Sequence, residues 1–172
     1  MSTTDAFTSL FDRMPDLVQS AVEGLSADDL ARRPTRSGNT IAWLIWHLSR
    51  VEDDHVTNSA TALGQDRMEQ VWIRDGFAGR FALSLPLEDT GFGHSPEQVR
   101  EVRVEGELLM HYYRAVHEQT QQFLAGLDDK AWETVVDTRW DPPVTLLARI
   151  TSVANEVAQH VGQAAYVRGL LE

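Results

Sequence analysis

The fold of this chain is decided by residues 40–63, which read TIAWLIWHLSRVEDDHVTNSATAL. Thr40 is a residue type that caps helices, and the apolar residues behind it recur at three- and four-residue spacing. Leu44, Leu48 and Val51 therefore fall on one helical face. The segment predicts a long amphipathic helix whose apolar face packs into a core.

Three other segments carry the same helical period, and Gly and Pro residues mark the connections between them. The first helix is predicted at residues 4–23, with a short helical turn at residues 26–31. The third is predicted at residues 95–127, because Ser95 is a suitable cap and a proline follows it. The fourth is predicted at residues 142–172, opened by two prolines. Four amphipathic helices predict an all-α, up-down four-helix bundle.

One long connection, residues 64–93, has no sustained period and is rich in glycine and aromatic residues. Connections of this length are uncommon in compact domains and are often functional. The segment, which contains Trp72, Phe77 and Phe81, is predicted either to cover a cavity or to form a dimerisation surface, and the second alternative implies a homodimer. No repeat or interdomain linker interrupts the chain, so residues 1–172 are predicted to form a single domain.

The composition disfavours several classes of function. The net charge is −11, from 26 acidic and 15 basic residues, which disfavours nucleic acid and anionic membranes as partners. The chain has no cysteine, so any thiol chemistry must use a thiol from a small molecule. The amino terminus lacks the pattern of a signal peptide, and the longest apolar run, residues 41–46, is too short to span a bilayer. A cytoplasmic location is expected.

Three side chains on two predicted helices indicate a metal site. Glu156 and His160 are four residues apart, so they project from one face of the fourth helix. A carboxylate and an imidazole at this spacing can chelate one ion, and Zn²⁺ accepts both oxygen and nitrogen ligands. His47, beside the apolar face of the second helix, is a candidate third ligand, and His55 is its rival two turns later. Hydrogen-bonded histidines without a metal are the alternative.

Two sequence motifs extend this interpretation. The run IAWLIWHLSRVEDDH at residues 41–55 and the run NEVAQHVGQAAYVRGLL at residues 155–171 together resemble the DinB-like superfamily of metal-dependent helical bundles. The resemblance spans nearly the whole chain and implies that His47, Glu156 and His160 hold the metal. A His, Glu, His set is similar to that of the mycothiol-dependent maleylpyruvate isomerases and S-transferases. The arginine-rich composition with a single lysine agrees with an actinobacterial branch.

The resemblance implies a function for the predicted site. Three protein ligands leave the fourth position of a tetrahedral Zn²⁺ open, and a thiol bound there becomes a thiolate nucleophile at neutral pH. The expected activity is S-transfer to a small electrophile or its thiol-assisted isomerisation, with mycothiol as the thiol. Arg50 and Arg168 are candidates for binding an anionic group of the cofactor or substrate. Ni²⁺ accepts similar donors and is the alternative metal.

Two other functions fit the same residues. A metal-dependent hydrolase would hold a zinc-bound hydroxide in the open position, with His55 or Asp54 as the general base. A non-catalytic, metal-binding stress-response bundle would close the site with a fourth protein ligand, for which the sequence offers no obvious candidate. Binding of a thiol favours the transferase, whereas a base close to a bound water favours the hydrolase.

Overall fold

The structure is a computed structural model that describes residues 2–65 and 68–171. Within these residues the chain is mainly helical, with one antiparallel pair of short strands. The elements are α1 (Thr3–Phe11), α2 (Met14–Val22), α3 (Ala27–Leu30), α4 (Ile41–Ala62), α5 (Val71–Arg74), α6 (Phe77–Phe81), α7 (Pro96–Glu101), α8 (Gly106–Ala125), β1 (Val135–Asp137), β2 (Val144–Thr145) and α9 (Leu146–Leu171). None of these helices has the length and apolar character needed to cross a membrane.

The long helices form the bundle predicted from the sequence. α4 packs against α8 and α9, and α2 packs against the same two helices. Residues 41–53 of α4 are all buried, so this part of the helix is surrounded by protein. Its opening residues are accordingly apolar on every side, as a helix at the centre of a fold requires. The predicted all-α bundle is confirmed.

The first predicted helix, residues 4–23, is two helices, α1 and α2. Pro15 lies in the first turn of α2, where its missing N–H costs no helical hydrogen bond. The apolar period continues across the break, and for this reason the sequence pattern does not reveal it. The short helical turn predicted at residues 26–31 is α3, capped by the Ser26 side chain.

The third predicted helix, residues 95–127, is also two helices. Ser95 caps α7 and Pro96 lies in its first turn, as predicted. The backbone is then extended at Val102, which is fully buried, before α8 begins at Gly106. A Cβ at Gly106 would lie 3.4 Å from the α2 backbone, so the glycine lets the start of α8 approach α2 closely.

The fourth helix begins later than predicted. Pro142 and Pro143, expected to open it, lie between β1 and β2, and α9 begins at Leu146. Residues 134–141, predicted to be extended or loop, contain β1. Proline has no N–H and fits either a first helical turn or the connection of a hairpin. Only the pairing of β1 with β2 decides between the two.

The described part of the long connection, residues 64–93, is folded onto the bundle. It contains α5 and α6, and Trp72, Phe77 and Phe81 are at most 5% exposed. Their rings contact that of Tyr112 on α8, with centroids 5.0–5.7 Å apart. These three aromatic side chains therefore belong to the core and do not form the exposed surface predicted for a dimer. The homodimer itself stays a prediction.

A buried carboxylate on α4 holds this connection in place. Asp53 accepts hydrogen bonds from the backbone N–H groups of Val71 (2.9 Å) and Trp72 (2.8 Å). It also accepts one from the Tyr112 hydroxyl (2.9 Å), and the Arg50 guanidinium lies 3.5 Å away. Three donors and a cation partly offset the free-energy cost of burying the charge, and burial still raises the pKa of Asp53. These contacts fix the start of α5 against α4.

Glu52, next to Asp53 on α4, is fully buried and makes the stability of the fold sensitive to pH. One carboxyl oxygen accepts a hydrogen bond from the Thr120 hydroxyl (2.7 Å), and the Tyr113 hydroxyl also acts on the carboxyl group without a well-formed hydrogen bond. Burial raises the pKa of Glu52 from 4.5 to about 7. Between these values the folded protein holds a proton that the unfolded chain has released, so stability falls as the pH rises through this window.

Glu52→Gln is expected to remove this pH dependence. The free energy of unfolding of the variant, relative to wild type, should rise by about 3 kcal/mol between about pH 5 and pH 8, at about 1.4 kcal/mol per pH unit. Urea unfolding at the two pH values measures the change. Glu97→Gln, which alters an exposed side chain, is the control and should show no such rise. An unaltered pH profile in Glu52→Gln would mean that another group titrates.

Candidate metal centre

The three predicted metal ligands lie together between α4 and α9. The candidate ligand atoms of His47, Glu156 and His160 are all within 4.8 Å of one another. His160 Nε2 is 3.0 Å from Glu156 Oε2, and the rings of His47 and His160 are 4.8 Å apart at their centroids. In the part of the chain that the structure describes, no other group of three such side chains is close enough to share an ion. Of the two rival histidines, the fold brings His47, and not His55, to the pair on α9.

The packing of α9 along α4 explains this convergence. α9 buries Val153, Val157 and Val161 in the core. Glu156 and His160 lie one turn apart beside this stripe and are only partly exposed. They are therefore at the edge of the helix contact, where polar atoms reach both α4 and solvent.

His47 is fixed both in orientation and in protonation. Its ring stacks on that of Trp43, one turn earlier on α4, with centroids 4.5 Å apart. Its Nδ1 is hydrogen-bonded to the backbone carbonyl of Thr90. Since a carbonyl only accepts, Nδ1 carries the hydrogen and Nε2 keeps its lone pair. Burial lowers the pKa of His47, which favours the neutral form that binds metals.

His160 is arranged in the same way. Its Nδ1 lies 3.0 Å from Oε1 of Gln163, and its Nε2 lies 3.0 Å from Oε2 of Glu156, so a cation bound by His160 and Glu156 would replace the hydrogen between these two atoms. Two ligands of a tetrahedral Zn²⁺, with bonds of about 2.0–2.1 Å, lie about 3.3 Å apart. The candidate atoms lie within 4.8 Å of one another, so no pair needs to close by more than about 1.5 Å to hold the ion. Two imidazoles and a carboxylate are a donor set that fits a divalent cation.

Gln163→Leu is expected to weaken Zn²⁺ binding by about 10-fold, because it removes the hydrogen bond that orients His160. Gln163 is exposed on α9, so the substitution leaves the core intact. Competition with a chelating dye measures the affinity. Gln159→Leu is the matched control, because Gln159 is also exposed on α9 but bonds to neither ligand histidine. Equal affinities of the two variants would remove Gln163 from the site.

The carbonyl that orients the α4 ligand belongs to a loop of residues 89–94, termed the support loop. The Asp89 carboxylate accepts hydrogen bonds from the Gly91 N–H (2.7 Å) and from His94 Nε2 (2.9 Å). His94 Nδ1 in turn accepts one from Trp43 Nε1 on α4 (3.1 Å). The support loop is thereby tied to the helix that carries the ligand. No spacing pattern in the sequence links this loop to α4, so sequence analysis missed it.

The two arginines predicted to bind an anionic group have other partners. Arg50 is fully buried, lies 3.5 Å from the Asp53 carboxylate and donates to the carbonyl of Asp89 (3.1 Å). It therefore anchors the support loop. Arg168 donates to two backbone carbonyls at the end of α2, at 2.7 and 3.1 Å. These positions give the predicted anion-binding role no support, because both guanidinium groups bind acceptors of the protein itself.

A cavity of about 330 Å³ opens beside the candidate ligands and is termed the metal-site cavity. His47, His55 and Glu156 all form part of its wall. Burial lowers the pKa of His55, and the positive charge of Arg149 lowers it further. Arg149 and Arg139 line the same cavity, although sequence analysis did not single them out. The cavity thus combines candidate metal ligands, a neutral imidazole and two cations.

The fold and the site together define a class of protein: a helical bundle in which two histidines and a glutamate are grouped as a candidate divalent-cation site. The chain belongs to the DinB superfamily, whose family model matches residues 10–164. The crystal structure of a conserved protein from Enterococcus faecalis is similar over 99% of this chain and 98% of that chain, with 27% sequence identity and a TM-score of 0.88. No curated protein matches the chain. The predicted superfamily is confirmed, and the mycothiol-dependent branch stays a prediction.

Proposed function

We propose that this protein is a metal-dependent thiol transferase or isomerase that uses a small-molecule thiol on a small electrophile. The observation that carries the proposal is the grouping of His47, Glu156 and His160 beside a cavity. Three protein ligands leave a fourth position for a group that enters from the cavity. A Zn²⁺ ion held by these side chains would supply Lewis-acid chemistry and lower the pKa of a thiol bound to it.

The thiol must come from outside the chain, because the protein contains no cysteine. We propose mycothiol, since the His, Glu, His set is similar to the ligand set of the mycothiol-dependent enzymes. No thiol of the protein competes with it for the cation. Zn²⁺ is the proposed metal, with Ni²⁺ as the alternative that accepts the same donors.

The side chains of the protein have separate tasks in this reaction. Thr90 and Gln163 accept hydrogen bonds from the outer nitrogens of the two ligand histidines and so orient the inner nitrogens toward the cation that they would bind. His55, neutral because its pKa is lowered, lines the same cavity and can hold a proton that is released into it. The sulfur then forms a bond to the electrophilic carbon. In a transfer, the bond from that carbon to the leaving group breaks and the leaving group takes the electron pair; in an isomerisation, the carbon–sulfur bond breaks again after the rearrangement and the sulfur regains its proton.

Zinc-loaded protein incubated with mycothiol and a panel of small electrophiles tests this function. Mass spectrometry should detect a mycothiol conjugate or an isomerised product with the zinc-loaded protein and none after treatment with a chelator. Equilibrium dialysis measures mycothiol binding in parallel. The transferase is ruled out if neither a metal-dependent product nor mycothiol binding is found.

Metal-dependent hydrolysis is the second candidate, and the position of His55 in the cavity wall favours it. A neutral imidazole there can act as a general base toward water as well as toward a thiol. Hydrolysis of esters or amides by the zinc-loaded protein without any thiol, at a rate that falls in His55→Gln, would establish this function. No turnover of either panel would leave a non-catalytic, metal-binding bundle.

A further inference from the structure

Two arginines give one end of the metal-site cavity a positive charge. Arg139 and Arg149 line this cavity together with His47 and Glu156. Arg149 precedes Glu156 by seven residues on α9. Seven residues are two helical turns, so the two side chains share a face and are separated by about 10 Å along the helix axis. The cavity therefore has a cationic end at a fixed distance from the candidate ligands.

The two positive charges of Arg139 and Arg149 exceed the single negative charge of Asp137, the carboxylate that binds both. Asp137 serves both arginines: its Oδ2 is 2.7 Å from Arg149 Nη2 and 2.8 Å from Arg139 Nη2. One carboxylate between two guanidinium groups leaves one positive charge in excess. The other acidic groups that act on this region are Glu156, a candidate ligand, and Asp54, whose oxygens accept hydrogen bonds from two side-chain amides. Hydrogen bonds from neutral amides leave the charge of Asp54 in place, so the positive excess is confined to the arginine pair and its partner Asp137.

Arg149 is the sheltered member of the pair, with 14% of its side chain exposed against 82% for Arg139. Asp137 already holds its guanidinium, so little side-chain entropy remains to be lost when an anion binds. A second cavity of about 350 Å³ is lined by the same two arginines and by His55. The guanidinium groups therefore lie where two open spaces meet, and a ligand can reach them.

The metal-site cavity also has an apolar rim. Phe92 and Trp140 both line it and are 93% and 64% exposed. Covering such exposed aromatic side chains with an apolar group is favourable, because it removes apolar surface from water. Val51 adds an apolar contact in the wall. The cavity thus offers apolar surface as well as a cationic end.

We infer that the metal-site cavity binds an electrophile that carries a carboxylate on an apolar stem, with the carboxylate paired to Arg149 and Arg139. A guanidinium presents parallel N–H donors that match the two oxygens of a carboxylate. The inference rests on the proposed function in one respect, which is that the bound acid is the electrophile. Its reacting atom then lies at the candidate ligands, on the order of 10 Å from the carboxylate.

Calorimetric titration of the full-length, zinc-loaded protein with 4-phenylbutyrate and with its uncharged amide, 4-phenylbutyramide, tests the subsite. Wild type should bind the acid roughly 10- to 100-fold more tightly than the amide, the range expected for charge-assisted hydrogen bonds. Arg149→Gln should abolish this preference. Arg139→Gln should reduce it by about threefold, because Arg139 is exposed. Arg100→Gln, an exposed arginine of α7, is the control and should leave it unchanged.

Two results would overturn the inference. One is equal binding of acid and amide by the wild type. The other is a preference for the acid that survives both Arg149→Gln and Arg139→Gln, since the carboxylate would then be bound elsewhere, most directly by the metal. Circular dichroism shows whether each variant folds. Should Arg149→Gln not fold, Arg149→Lys replaces it, because lysine keeps the charge and lacks the paired donors of a guanidinium. An unchanged preference for the acid in both Arg149→Lys and Arg139→Gln then counts against the subsite.

A second arm identifies which reactant carries the carboxylate. In the electrophile pair, the rates of thiol transfer from mycothiol to the acid form and to the amide form of one electrophile are measured. In the thiol pair, the rates of N-acetylcysteine and of its amide are measured with one uncharged electrophile. Arg149→Gln should remove the preference for the acid in the electrophile pair; an effect confined to the thiol pair would refute the assignment to the electrophile. Because the calorimetric arm needs no turnover, a lack of thiol transfer would refute the proposed function and leave the subsite result standing.

Discussion

Replacing His160 with alanine is expected to lower the affinity of the protein for Zn²⁺ by more than about 100-fold. Loss of an outer hydrogen-bond partner alone costs about 10- to 100-fold in metal affinity, and this substitution removes a ligand itself. It also destroys the chelating pair on α9, so the two remaining side chains, His47 and Glu156, come from different helices. His160 lies at the edge of the core, so the variant is expected to fold.

Elemental analysis of the dialysed protein measures the bound metal, and competition with a chelator gives the affinity. Wild type should retain one equivalent of Zn²⁺, and His160→Ala should retain little. His111→Ala is the matched control, because His111 is an exposed histidine of α8 outside the ligand group. A full equivalent of metal in His160→Ala would refute the ligand set and, with it, the proposed function.

The candidate ligands differ in how far the sequence predicts them. Glu156 and His160 follow from a spacing of four on a helix, which is a local property. His47 is a candidate because it lies beside the apolar face of α4, and the resemblance of two motifs far apart in the chain chooses it over His55. Periodicity alone does not separate His47 from His55, because both lie near the apolar face of α4. The decision depends on which turn of α4 meets α9, and this is set by the packing of whole helices.

The parts of the site that the sequence did not predict depend on contacts between distant segments. Thr90 acts through its backbone carbonyl, a group that every residue has, so no side-chain pattern marks it. Arg139 and Arg149 come together because Asp137 in β1 binds both of them. Arg50 is a charged residue of an amphipathic helix and would be expected at its surface. It is buried because the connection between α4 and α7 covers it. Burial by a long connection is not visible in a helical period.

The same limit applies to the fold. Apolar spacing predicts which segments of the chain face the core, and the bundle follows from those segments. It does not predict the breaks between α1 and α2 or between α7 and α8, because the apolar period runs through both. Gly106 marks one of these breaks, but its role depends on the close approach of α8 to α2. Helix caps are better predicted, since Thr40 and Ser95 act on backbone N–H groups three residues away.

Gly91→Ala is expected to destabilise the protein by about 2–6 kcal/mol and to weaken Zn²⁺ binding by at least about 10-fold. Gly91 has a φ of +92°, a conformation that costs a non-glycine residue about 1–3 kcal/mol. A Cβ there would lie 2.8 Å from His47 Nδ1 and 3.0 Å from the Trp46 ring, and such overpacking costs about 1–3 kcal/mol more. The atom it strikes is the one hydrogen-bonded to Thr90, so the support loop must move away from the ligand.

Gly93→Ala separates the two effects of this substitution. Gly93 lies in the same support loop with a φ of +73°, but a Cβ on it has no atom within 4 Å. Backbone strain alone should therefore lower its free energy of unfolding, by about 1–3 kcal/mol, and the variant should keep the Zn²⁺ affinity of the wild type. Urea unfolding and chelator competition on both variants measure the two quantities. If the variants lose metal affinity to the same extent, backbone strain in the loop controls the site; if only Gly91→Ala does, the contact between Gly91 and the His47 ring controls it.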